Sequence, residues 1–158
     1  MGPWILAMAI GFEPWQGSLP ARPCMPTAEH RQLPAGPPAQ WALPPICAQE
    51  FEGACTSLDG QVRIATEFDG RRKVKRVRSG FYGGEGWMDD TFFTGRRTLS
   101  IEHLATGRKA VFIERLRDSR GYSAPGANLR YFPEQKLVIA LDLAEERKPA
   151  NSYCIRLP

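Results

Sequence analysis

The sequence predicts a mainly β chain: a small antiparallel sandwich or barrel of about seven strands, preceded by an irregular, proline-rich N-terminal arm. Three observations predict it. Ten of the 14 prolines fall before residue 46. From Gln61 onward the apolar residues recur with a period of two rather than 3.6. Turn-forming residues separate these alternating runs at short intervals. Residues 47–158 therefore read as a single β domain, large enough to bury a core without a metal, and residues 1–46 as the arm.

In the arm, each proline fixes φ and removes a backbone donor, so neither a long helix nor a central strand is expected there. Trp4 to Phe12 is a short apolar run (WILAMAIGF), with Gly17, Ser18 and Ala21 following at the distance of a signal cleavage site. No Lys or Arg precedes the run, and Glu13 and Pro14 interrupt it, so it reads as a weak signal peptide and is too short for a transmembrane helix. Ordered structure in the arm would require draping on the domain. Leu33, Trp41 and Leu43 are the apolar anchors such a segment offers to a groove.

In the domain, Val62, Ile64, Thr66 and Phe68 alternate with Arg63, Ala65 and Glu67, the pattern of a half-buried strand. Asp69-Gly70 is a strong hairpin-turn signal, and Arg72 to Arg78 reads as the returning strand. A glycine-aromatic loop follows, with Phe81, Tyr82 and Trp87 among four glycines. Leu99, Ile101 and His103 alternate in the next strand. A turn at Ala105 to Arg108, with Gly107 supplying positive φ, joins it to a strand over Ala110 to Leu116. Residues 118–128 read as a loop and Leu129 to Phe132 as a short strand ended by Pro133. Lys136 to Leu143 (KLVIALDL) is the most apolar run of the domain, and its length and β-branched residues favour a buried strand, with a helix as the alternative. Ser152 to Leu157 reads as the last strand.

The cysteines are Cys24, Cys47, Cys55 and Cys154, and no pair has the spacing of a zinc or thioredoxin-type site. Cys47 and Cys55 lie just before the first strand of the domain and Cys154 in the last. A bridge from Cys154 to either would close a loop of roughly 100 residues, worth about 4 to 5 kcal/mol in the chain-entropy model. The connectivity is left open by the sequence.

The charge is uneven. The chain carries a net +4, whereas Gln61 to Arg78 alone holds seven cations and two anions. Arg71, Lys73 and Lys75 fall on one strand face; Arg72, Arg76 and Arg78 share the other with Val74. A cationic row beside aromatic residues suits phosphates and stacked bases; the same row also blunts a sheet edge against aggregation. Asp89 and Asp90 are too few to hold calcium. His103 lies in register with apolar neighbours and reads as a core residue rather than a general base. Gly121 to Leu143 faintly resembles the late core strand of penicillin-binding-protein-like serine hydrolases, but S-x-x-K and K-T-G motifs are absent and no such assignment follows. The sequence implies no catalytic residue, metal or cofactor, and leans away from an enzyme. The expected function is a non-catalytic binding or structural module with an unidentified ligand. The fold and cysteines favour a secreted or periplasmic setting, although the signal run argues weakly against export. Recognition would fall on Phe81, Tyr82 and Trp87, with a protein or envelope component as partner. The alternative is a cytoplasmic nucleic-acid-associated protein using Arg71, Arg72, Lys73, Lys75, Arg76 and Arg78.

Overall fold

A computed structural model describes residues 12–14, 17–48, 52–79, 86–120, 128–145 and 148–158. Among these, nine strands form two antiparallel sheets that pack face to face as a β-sandwich. They are β1 (Phe12–Pro14), β2 (Ala21–Pro23), β3 (Gly53–Thr56), β4 (Val62–Ser79), β5 (Gly86–His103), β6 (Arg108–Arg120), β7 (Leu129–Phe132), β8 (Leu137–Glu145) and β9 (Lys148–Arg156), with one short helix, α1 (Ala28–Arg31). One sheet has the order β1-β6-β5-β4-β3 and the other β2-β9-β8-β7.

The period-two alternation sets the inner faces. Val62 and Ile64 of β4, Leu99 and Ile101 of β5, and Ala110 and Phe112 of β6 point at Val138, Ala140, Tyr153 and Ile155 of the facing sheet. The Phe112 and Tyr153 rings meet at 5.2 Å between centroids. The KLVIALDL run is a strand, as its length and apolarity suggest. Val138 and Ala140 face the sandwich core, while Leu137, Ile139 and Leu141 form a second cluster on the opposite side.

The arm explains why that second side is buried. β1 pairs with β6, and the chain then sends Leu19, 1% exposed, into the core. Next, β2 joins the edge of the second sheet beside β9. Pro14 and Pro23 both sit in edge strands, where a missing donor costs no ladder bond. Beyond β2 the chain crosses the outer face of the second sheet. Cys24 is bonded to Cys154 there, His30 stacks near Phe132 at 5.1 Å, and Arg31 forms a 2.6 Å ion pair with Asp142. Thr27 caps α1 by accepting from the His30 amide, and the His30 ring accepts from the Thr27 amide. Asp142 holds φ +45° at a bulge of β8; its amide donates to Ser152 Oγ at 2.9 Å. Prolines keep this segment to single short turns of helix, yet it packs as a strap because the sandwich supplies the partners it lacks.

Asp69-Gly70 is not a hairpin turn. β4 runs through it unbroken for 18 residues, paired with an equally long β5 in one continuous register from Val62↔His103 to Ser79↔Gly86. The glycine has a long-range cause. Gly70 lies opposite Gly95, and a Cβ on Gly70 would fall 2.7 Å from the Gly95 Cα, while one on Gly95 would fall 2.6 Å from the Gly70 Cα. The two backbones approach more closely than any side chain allows. A register shift between Phe93 and Gly95 on the β6 side marks the same level.

Candidate functional site

The Gly70–Gly95 crossing divides the β4–β5 hairpin in two. On the near side, Ile64 and Leu99 are the last residues of these strands to join the core cluster. Beyond it lie Arg71 to Ser79 and Gly86 to Thr94, about nine residues each and roughly 30 Å at strand rise. β6 accompanies β5 as far as Arg120↔Phe92, after which the described projection is two-stranded.

The register sorts its side chains. One face carries Phe68, Arg72, Phe93, Val74, Arg76, Arg78 and Trp87. Phe68 and Phe93 meet edge to face at 5.4 Å, and the Arg72 guanidinium lies 5.4 and 5.6 Å from their centroids. Farther out, Val74 and Trp87 are 65% and 62% exposed. The opposite face carries Lys73, Lys75, Val77, Met88, Asp90 and Phe92. There Lys75 and Arg120 sit 4.7 and 5.3 Å from the Phe92 centroid, and Arg120 pairs with Asp90 at 3.2 Å.

The cationic row is therefore partly neutralised. Arg72 pairs with Glu52 and Lys75 with Asp118. Arg71, Lys73 and Arg76 are exposed and have no carboxylate within ion-pair distance among the described residues. Trp87 stands at the far end of the hairpin. Phe81 and Tyr82 lie outside the described residues.

At the base of the projection Arg97, 2% exposed, binds Glu114 through Nε and Nη2 at 2.8 and 2.5 Å. Burial pushes the Glu114 carboxyl up, against the pull of the guanidinium. This pair was not legible from sequence: Arg97 sits in a polar run (GRRT), and only the cross-strand register places it opposite Glu114.

A second concavity lies where the strap meets β7. It measures about 640 Å³ and is lined by Trp41, Leu43 and Leu58 on one side and Tyr131 and Phe132 on the other. The arm's anchors thus serve its own domain. Leu43 is buried and Trp41 half-buried, while Leu33 stays 59% exposed at the rim. At its floor Asp59 accepts from Ser57 Oγ at 2.6 Å, Tyr131 Oη at 2.7 Å and the Gln61 amide at 3.0 Å. Burial pushes the Asp59 carboxyl up, but these three bonds outweigh it and hold the group below its ordinary range. The same burial and bond push the Tyr131 phenol up. With its acceptor sites so engaged, Asp59 is a structural clasp.

His103 is buried, with Nδ1 2.9 Å from Thr106 Oγ1 across the β5–β6 turn. Among the described residues no group of His, Cys, Asp and Glu is arranged to hold a metal, and no helix is long and apolar enough to cross a membrane.

All four cysteines are paired, but Cys154 bonds Cys24 rather than Cys47 or Cys55, which bond each other. The Cα separations are 5.8 and 5.5 Å. The strap carries Cys24 onto the outer face of β9, a placement that depends on the arm docking. The even cysteine count is compatible with two bridges, but the pairing follows from the fold, which brings Cys24 beside Cys154 and Cys47 beside Cys55.

No family model, curated protein or solved structure matches this chain. The functional reading rests on the geometry.

Proposed function

We propose that this chain is an extracytoplasmic, non-catalytic binding module that meets its partner through the projecting half of the β4–β5 hairpin. One observation carries the reading: a continuously registered hairpin leaves the sandwich with Val74, Trp87 and Met88 more than half exposed among exposed cations. Apolar side chains held together in water on an extended hairpin cost solvation unless a partner covers them. The compartment reading is supported by the two disulfides, which persist where the environment is oxidising.

The test is the intact mass of the protein from its native host, alkylated with and without prior reduction. Blocked thiols before reduction are expected. Four alkylated thiols without reduction would overturn the compartment.

Exposed Arg71, Lys73 and Arg76 support a second reading, binding of a nucleic acid along the same strand. That reading requires affinity that falls steeply with salt. Binding that is insensitive to salt would remove it.

A further inference from the structure

The projecting half of β4 has an open side. β3 covers only Arg63 to Thr66, and among the described residues nothing pairs with β4 beyond that point on the same edge. The direction of the backbone groups along this edge follows from its anchored end. The Val62 carbonyl accepts from the Ser57 amide at 2.8 Å and the Val62 amide donates to Ser57 Oγ at 3.0 Å, so Val62 turns both groups away from β5. The Gln61 carbonyl accepts from Leu104 and so turns toward β5. Since the β4–β5 register has no shift, the alternation continues. Arg72, Val74, Arg76 and Arg78 turn their amides and carbonyls outward; Arg71, Lys73, Lys75 and Val77 turn theirs to β5.

We propose that this edge binds an extended acidic polypeptide segment, which adds as a further strand beside β4. The proposal rests on the reading of the hairpin as the recognition element and names its partner. Two features select the occupant. The open ladder groups demand a backbone, which a polypeptide strand supplies and a phosphodiester does not. The flanking side chains demand negative charge, since Arg71 to Arg78 holds six cations and no anion, and beyond the Arg72–Glu52 and Lys75–Asp118 pairs Arg71, Lys73 and Arg76 have no carboxylate within ion-pair distance among the described residues.

The same charge excludes a second copy of this chain. Antiparallel pairing of two such edges about Val74 sets Arg72 against Arg76 and Lys73 against Lys75, and pairing one step along, about Lys75, sets Arg72 against Arg78 and Lys75 against its own copy, so both central registers bring like charges together. An incoming strand with Glu or Asp at alternate positions meets a cation on either face. Its intervening apolar residues meet Val74, opposite Thr91, or Val77, opposite Met88.

Val74→Pro separates backbone pairing from charge. It deletes an outward amide while leaving every β4–β5 bond intact, and a proline is tolerated on an open edge. The probes are a pool of acetylated octapeptides alternating Glu with Val, Thr or Tyr, and a single-stranded DNA oligonucleotide, each titrated against the full chain. Saturable peptide binding is expected, weakened about tenfold or more by Val74→Pro, because the partner carbonyl loses its donor. Binding should vanish in Arg72→Glu/Arg76→Glu, with circular dichroism showing both variants folded. Equal peptide affinity in Val74→Pro and wild type overturns the proposal. DNA binding that ignores Val74→Pro but is lost in the charge reversal, without peptide binding, overturns it while leaving the hairpin as recognition element. Self-association of the wild type that Val74→Pro abolishes overturns it in favour of a second copy. If no probe binds in a hairpin-dependent way, the hairpin reading falls with it.

Discussion

At Gly70 and Gly95 the absence of two side chains lets β4 and β5, 18 residues each, approach closely at the middle of one unbroken ladder. Each glycine leaves room for the other's backbone, so either replacement forces the strands apart. Gly95→Ala should cost about 3 kcal/mol, from overpacking plus an unfavourable φ of +148°. Gly107→Ala, at φ +71° with nothing near its Cβ, isolates the conformational part and should cost about 1 kcal/mol. Urea titration of both variants checks the difference. The carboxyls give a second residue-scale expectation. Hydrogen bonding, chiefly from Arg31 in the case of Asp142, holds Asp59 and Asp142 below their ordinary value of 3.8. Below that value the unfolded chain binds protons that the folded chain resists, so their stabilisation is present above it and is lost as pH falls through the folded values. Glu114, pushed up, has the opposite sign: its contribution is greatest at low pH and declines as pH rises. Asp59→Asn should therefore lose less stability than wild type between about pH 6 and about pH 3 in urea melts.

At the scale of elements, what the sequence revealed depended on whether the cause was local. β7, β8 and β9 were legible because alternation and apolar run length are properties of a few neighbouring residues. Asp69-Gly70 was misread because the turn rule is also local, whereas the reason for Gly70 is a glycine 25 positions away, in register across the sheet. The strap was hidden for the same reason: its order comes from β9, β6 and β7, none of which its own proline-rich sequence announces. In the candidate site, the cationic strand and Trp87 were visible as residue types, but the open edge that gives them a use was not, since a sequence shows which residues are charged and not which ladder goes unpaired. The disulfides follow this division. Cys24–Cys154 closes a separation of 130 residues and Cys47–Cys55 one of 8. In the chain-entropy model these are worth roughly 5 and roughly 2.5 kcal/mol. Replacing the first pair by serine should lower the urea midpoint more than replacing the second, and the reverse order would show that loop closure does not govern the effect.

Across the whole molecule, the core and the projection are built from the same two strands but held by different means. The sandwich relies on apolar burial between sheets, closed at its sides by Leu19 and the strap. The projection relies on ladder bonds and on cations laid against Phe68, Phe92 and Phe93. Salt and acid therefore act on the two halves unequally, and the cationic half is the one that meets solvent.

The bond between Cys24 and Cys154 has a topological consequence. It turns most of the chain into a covalent ring, from Cys24 to Cys154, that contains both long strands and the two later crossovers between the sheets, from β2 to β3 and from β6 to β7. A single backbone cut anywhere between Cys24 and Cys154 therefore opens the ring without releasing a piece, and only reduction of the bond together with the cut separates the two fragments.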